Sequence, residues 1–166
     1  MEEMAGKDTT KAIETLDTLP AELQPGARAG VVEKWAERDP VKAAAYVEGL
    51  GDIPGRPDSV RSLVWQWAGV DARAASEYTA ALSPGPARDQ AARSLANRIR
   101  DTDPEAASTW CLEIQDTKIR DSILGWVFQG WETNPKAARA WVETNQERLG
   151  ADQTAKLLKR LGEEGK

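Results

Sequence analysis

"RDPVKAAAY" at residues 38–46 returns as "VDARAASEY" at 70–78, "TDPEAASTW" at 102–110 and "TNPKAARAW" at 133–141. Each copy opens on Asp or Asn and closes on a large aromatic, and proline follows the polar residue in three of the four. Asp then Pro is a helix start: the carboxylate accepts from free amide groups, and proline occupies the first helical position, where no donor is missed. Asp39, Asp71 and Asp103 stand 32 residues apart, and Asn134 follows after 31. Tyr46, Tyr78, Trp110 and Trp141 keep the same step. Upstream, Trp35, Trp67, Ile99 and Trp131 hold a spacing of 32 throughout, so the last copy loses one residue between Trp131 and Asn134. Arg56, Arg88 and Arg120 form a further ladder at the same interval. Several residue classes agreeing on one register identify a repeat.

Each repeat reads as two helices, A then B. Helix B carries apolar residues at helical spacing after the proline: Ala43, Tyr46, Val47 and Leu50 in the first copy, Ala107, Trp110, Cys111 and Ile114 in the third. Helix A carries Val60, Leu63, Val64 and Trp67 in the second copy and Leu124, Val127, Phe128 and Trp131 in the fourth. The stretches "GLGDIPGRPD" and "LSPGPARD" between repeats are rich in residues that halt a helix. The link from A to B is a few residues, which demands an antiparallel pair. The aromatic then fills the seam between A and B. One pair cannot cover its own apolar face, so copies must stack.

The expected fold is all-α: a right-handed α-solenoid forming a single domain over 1–166. It has four antiparallel helix hairpins at 24–54, 56–86, 88–118 and 120–148 and a terminal helix at each end, 8–17 and 151–161. The first terminal helix reads as a lone B helix ending in Leu16. It is either a cap or the remnant of a repeat in a longer array. The last turns Leu157, Leu158 and Leu161 inward and is closed by Gly162.

Composition narrows the function. There is no histidine and one cysteine, Cys111, which removes Ser-His-Asp and Cys-His catalysis, histidine-ligated metals and internal disulfides. No catalytic residue, cofactor or metal ligand is expected, and Cys111 reads as a small buried hydrophobe. The net charge of −5 argues against nucleic acid as a partner, and no run is apolar enough to span a membrane. The first residues lack a secretion signal, which points to the cytoplasm, though a piece of an exported protein would read the same way.

The phrases "WAERDPVKAAAY", "LSPGPARDQA" and "GWETNPKAARAWVE" resemble a family of bacterial helical-repeat proteins typical of planctomycete and verrucomicrobial genomes, over residues 24–145. Ala72 in place of proline and Ile99 in place of tryptophan depart from that pattern. The resemblance implies a helical repeat but carries over no activity and no site residues. More broadly the chain is similar to tetratricopeptide and HEAT-like solenoids, which implies binding of protein partners along a curved surface.

Residues that recur solve the packing problem common to all copies, so function is sought where one copy departs. Trp65 aligns with Glu33, Asn97 and Gln129, on the side of helix A opposite the apolar stripe. Trp126 aligns with Gly30, Ser62 and Ser94, also off the stripe. Exposed tryptophan is a favoured interface anchor. Arg61, Arg93, Arg98 and Arg100 surround Trp65 if neighbouring A helices lie side by side, which would make a basic strip suited to a carboxylate-rich peptide. The expected partner is therefore a protein or peptide, an acidic one if the basic strip forms, held by Arg61, Trp65, Arg93, Asn97, Arg98, Arg100 and Trp126. The alternatives are a structural segment of a larger repeat protein and a module recognising nucleic acid or another polyanion. The oligomeric state is open. Arg56, Arg88 and Arg120 oppose the helix dipole in a first turn, so each needs a carbonyl or carboxylate nearby.

Overall fold

The computed structural model describes the backbone of residues 2–131 and 134–163 and the side chains of residues 9–131 and 134–162. The one-residue loss expected between Trp131 and Asn134 falls outside the described residues. Among these residues the chain is all-helical, without strands: α1 (Glu2–Leu16), α2 (Gln24–Ala36), α3 (Pro40–Gly49), α4 (Arg56–Val70), α5 (Ala72–Ala81), α6 (Pro86–Ile99), α7 (Pro104–Leu112), α8 (Thr117–Val127), α9 (Pro135–Thr144), α10 (Gln146–Leu149) and α11 (Ala151–Glu163).

The polar residue opening each repeated phrase caps a B helix. Asp39 accepts from the Lys42 amide at 3.0 Å, Asp71 from Ala74 at 2.9 Å, Asp103 from Ala106 at 2.9 Å and Asn134 from Ala137 at 3.2 Å. Ala72 shows that the cap, not the proline, is the constant feature. Gly55 precedes α4 at φ +86°, a left-handed conformation, and a β-carbon there would sit 2.5 Å from the Pro25 side chain. Only glycine meets both demands.

The chain forms two compact units, residues 1–94 and 95–166, the division falling within α6. In the first unit α2 packs on α3 and α4, α4 on α3 and α5, and α1 on α2. Its core holds Val32, Val47, Val60, Leu63, Val64 and Ala75, all fully buried. Burying each valine or leucine is worth about 1.5–3 kcal/mol against an exposed reference. Rings join A to B: Trp35 lies 5.7 Å from Tyr46 and Trp67 lies 5.6 Å from Tyr78, centroid to centroid. In the second unit α7 packs on α8, α9 on α11, and α10 on both α9 and α11. Its core holds Leu124, Val127, Phe128, Ala138, Val142 and Trp131, with Trp141 edge-on to Phe128 at 5.8 Å.

Ring contacts place Tyr46, Tyr78 and Trp141 against A-helix aromatics, but the four repeated aromatics are unevenly buried. Trp141 is buried, while Tyr46, Tyr78 and Trp110 are only part-buried, each leaving an edge at the surface. Tyr78 uses that edge to donate its hydroxyl to Glu48 at 2.8 Å. Burial, reinforced by this bond, raises the phenol well above its ordinary value. The arginine ladder finds its partners. Arg56 donates to the Val47 carbonyl at 3.4 Å and to Glu48 at 3.3 Å, Arg88 to the Leu82 carbonyl at 3.3 Å, and Arg120 to Asp121 at 3.1 Å.

Several boundaries differ from the sequence reading. The first terminal helix starts at Glu2, not at residue 8. The fourth A helix begins at Thr117, ahead of Arg120, because Asp116 caps it by accepting from the Lys118 and Ile119 amides. It stops at Val127, leaving Phe128 and Trp131 of its stripe beyond the helix but buried. A short α10 straddles the expected end of the fourth repeat and is ended by Gly150 at φ +79°. Gly162 does not close α11, which runs through it. A helix tolerates glycine at a cost of about 1 kcal/mol, so Gly162 alone is not a stop.

Candidate partner-binding surface

The seven residues expected to bind a partner divide between the two units. Arg61, Trp65 and Arg93 belong to the first, and Asn97, Arg98, Arg100 and Trp126 to the second. Within the first unit, Trp65 lies on α4 with 41% of its surface exposed, a large apolar area for a residue type that usually buries its ring. Arg61, one turn earlier on α4, is exposed and stands 3.7 Å from Asp58. Arg93 on α6 is part-buried. Beside it, Ser94 donates its hydroxyl to the Arg61 carbonyl at 2.8 Å, so Arg61 and the turn of α6 bearing Arg93 are neighbours. This much of the basic strip is brought together.

The slot Trp65 occupies explains its position. Its counterpart on α2, Glu33, accepts from Gln66 of α4 at 3.4 Å, so the slot lies at the edge of the seam between adjacent A helices. A glutamate there reaches across the seam, and an indole there spills out to solvent.

Within the second unit, Trp126 on α8 is 54% exposed. The equivalent slot holds Ser62 on α4 and Ser94 on α6, each 4% exposed, so the indole replaces a small buried hydroxyl and is displayed instead. Arg100 is part-buried and lies 3.4 Å from Asp101, Asn97 is part-buried, and Arg98 is exposed.

Cys111 is fully buried, and burial pushes its thiol up to about 12, so no reactive thiolate forms at neutral pH. Among the described residues no three acidic or cysteine side chains converge to hold a metal. No described helix is long and apolar enough to cross a membrane.

Two features escaped the sequence reading. Arg28 on α2 takes the slot that holds Val60, Ala92 and Leu124 in the other A helices, and it is 7% exposed. Its Nε has no hydrogen-bond partner among the described residues. An arginine interrupting an apolar ladder was the available signal. The second feature is a groove of about 410 Å³ between α1 and α2, lined by Thr9 and Ala12 of α1 and by Gly30, Val31, Lys34 and Trp35 of α2, among others. No repeat of a motif marks it. Comparison with protein families, with curated proteins and with solved structures finds no match to the chain.

Proposed function

We propose that this chain is a non-catalytic α-solenoid scaffold, as its similarity to tetratricopeptide and HEAT-like solenoids implies, that binds an acidic peptide or protein segment through its A-helix surface. The observation that carries the reading is Trp65, an indole 41% exposed one helical turn after the exposed Arg61 on α4. Tryptophan and arginine are both among the residue types enriched where binding energy is concentrated. Arginine adds a planar fork that matches a carboxylate. The repeats supply rigidity, so the surface needs little ordering on binding.

Panning a displayed library of random peptides against the wild-type chain tests the proposal. Recovered sequences should be rich in Asp and Glu, and Trp65→Ala combined with Arg93→Ala should abolish their capture while leaving the melting temperature in place. Capture undiminished in that double variant would refute the site. A nucleic-acid ligand would instead show binding that falls steeply between low and moderate salt.

A further inference from the structure

Helices α8 and α11 of the second unit enclose a cleft of about 230 Å³. Asp121 and Gly125 line it from α8, and Gln153, Lys156, Lys159 and Arg160 line it from α11. Gly125 is in register with Arg61 on α4 and Arg93 on α6, so this copy lacks the side chain that the slot carries in the two before it. A β-carbon at Gly125 would meet nothing within 4 Å. The backbone at the slot keeps its role. The Arg61 carbonyl accepts from Ser94 at 2.8 Å, and the Gly125 carbonyl accepts from Arg160 at 2.7 Å. A guanidinium on a long stem thus stands where a serine hydroxyl bonds in the earlier copy, and the missing side chain opposite it leaves the cleft.

Gln153 is 8% exposed, yet its amide makes no hydrogen bond among the described residues. A buried amide without a partner is costly, so a ligand that accepts from it is favoured. Gln153 lies in the first turn of α11, where the helix dipole also favours an anion. Lys156, one turn on, is exposed and makes no ion pair among the described residues. The far end of α11, at Glu163, lies about 10 Å beyond Lys156 along the axis, at about 1.5 Å of rise per residue. Gln153 and Lys156 therefore belong to the opposite end of the helix. On the α8 wall the carboxylate of Asp121 stands 3.1 Å from Arg120, which offsets its charge. Among the described residues the lining is net positive, with one acceptor set among the donors.

We propose that the α8–α11 cleft binds hydrogenphosphate, with the Gln153 amide, Lys156 and Arg160 donating to its oxygens and Asp121 accepting from its O–H. Lysine meets a phosphate as a point charge, while Arg160 is positioned by its bond to the Gly125 carbonyl. The mixture of donors and one acceptor selects among anions. Sulfate has the same shape but no proton to give Asp121, so the carboxylate repels it. Inorganic phosphate keeps a proton near neutral pH, whereas a phosphoserine, with a second pKa of about 6, has largely lost it. The free ion is therefore preferred to the ester at pH 7.

Isothermal titration calorimetry of the full chain with inorganic phosphate, at pH 7 and constant ionic strength, is the test. Saturable binding is expected, at least about tenfold tighter than for sulfate or for a phosphoserine peptide. Gln153→Leu and Lys156→Gln should each weaken it about tenfold, through loss of a hydrogen bond to a charged ligand. Gly125→Leu should abolish it by filling the cleft, and Asp121→Asn should bring phosphate and sulfate level. Trp65→Ala combined with Arg93→Ala should leave all of this unchanged, which separates the cleft from the surface proposed above. Circular dichroism melts check that each variant remains folded; should Gly125→Leu unfold, the two α11 variants decide alone. Absence of saturable heat, phosphate bound no tighter than sulfate, a phosphopeptide preferred to the free ion, or affinity indifferent to Gln153→Leu and Lys156→Gln would overturn the proposal.

Discussion

Truncating Trp141 to alanine tests the packing principle at its strongest point. The ring is 7% exposed, meets Phe128 edge-on at 5.8 Å, and donates its indole N–H to Thr109 at 3.3 Å. Removing a buried tryptophan from a core costs about 3–5 kcal/mol, transfer and cavity together. The edge-to-face pair accounts for about 0.5–1.5 kcal/mol of such a loss. The hydrogen bond contributes little more, because Thr109 is exposed and regains water as a partner. A unit of this size has a total stability of only about 0.05–0.15 kcal/mol per residue, so Trp141→Ala should remove a large share of the stability of residues 95–166. Tyr46→Ala, at a part-buried ring, should cost clearly less. Hydrogen exchange is the assay, read on peptides from α7, α8 and α9 and, for Tyr46→Ala, from α2 and α3, alongside urea denaturation followed by circular dichroism. A loss under about 1 kcal/mol for Trp141→Ala, or equal losses for the two variants, would refute the claim that the repeated aromatic is held by burial at the A–B seam.

Three further outcomes follow from local geometry. Gly55→Ala should destabilise by about 1–3 kcal/mol, since the residue must keep φ +86° and its β-carbon would meet Pro25; a denaturation midpoint equal to wild type would contradict this. Asp39 accepts from the Lys42 amide and pairs with its ammonium at 2.9 Å, which holds the carboxyl below its ordinary value. Its stabilising effect is thus present above the unfolded aspartate pKa and lost as pH falls through the lower folded one, and Asp39→Asn should erase that part of the acid dependence in a pH series of melts. Cys111, fully buried with its thiol pushed up to about 12, should resist a thiol-reactive disulfide reagent at pH near neutral and react promptly once denaturant unfolds the chain.

Much of the helix pattern was legible because its causes are local. A capping carboxylate, the residue after it and an apolar stripe at helical spacing act within a few turns, so Asp39, Asp71, Asp103 and Asn134 could be assigned from the text alone. The boundaries that slipped depended on competition: Asp116 outbid Arg120 as the start of α8, and Gly162 was carried through by the helix around it. The candidate surface was legible only by difference, as Trp65 and Trp126 broke the register. Whether their rings are displayed depends on what covers each helix face, and that is a matter of neighbours about thirty residues away.

The residue order by itself determined the helical units, their caps and the aromatics at their seams, because periodicity and capping are short-range chemistry repeated. Only the tertiary structure decided that Tyr46, Tyr78 and Trp110 are part-exposed while Trp141 is buried, and that Arg28 lies inside. Burial is a property of which helices meet. Identical slots in a repeat acquire different environments according to whether a neighbour arrives to fill them.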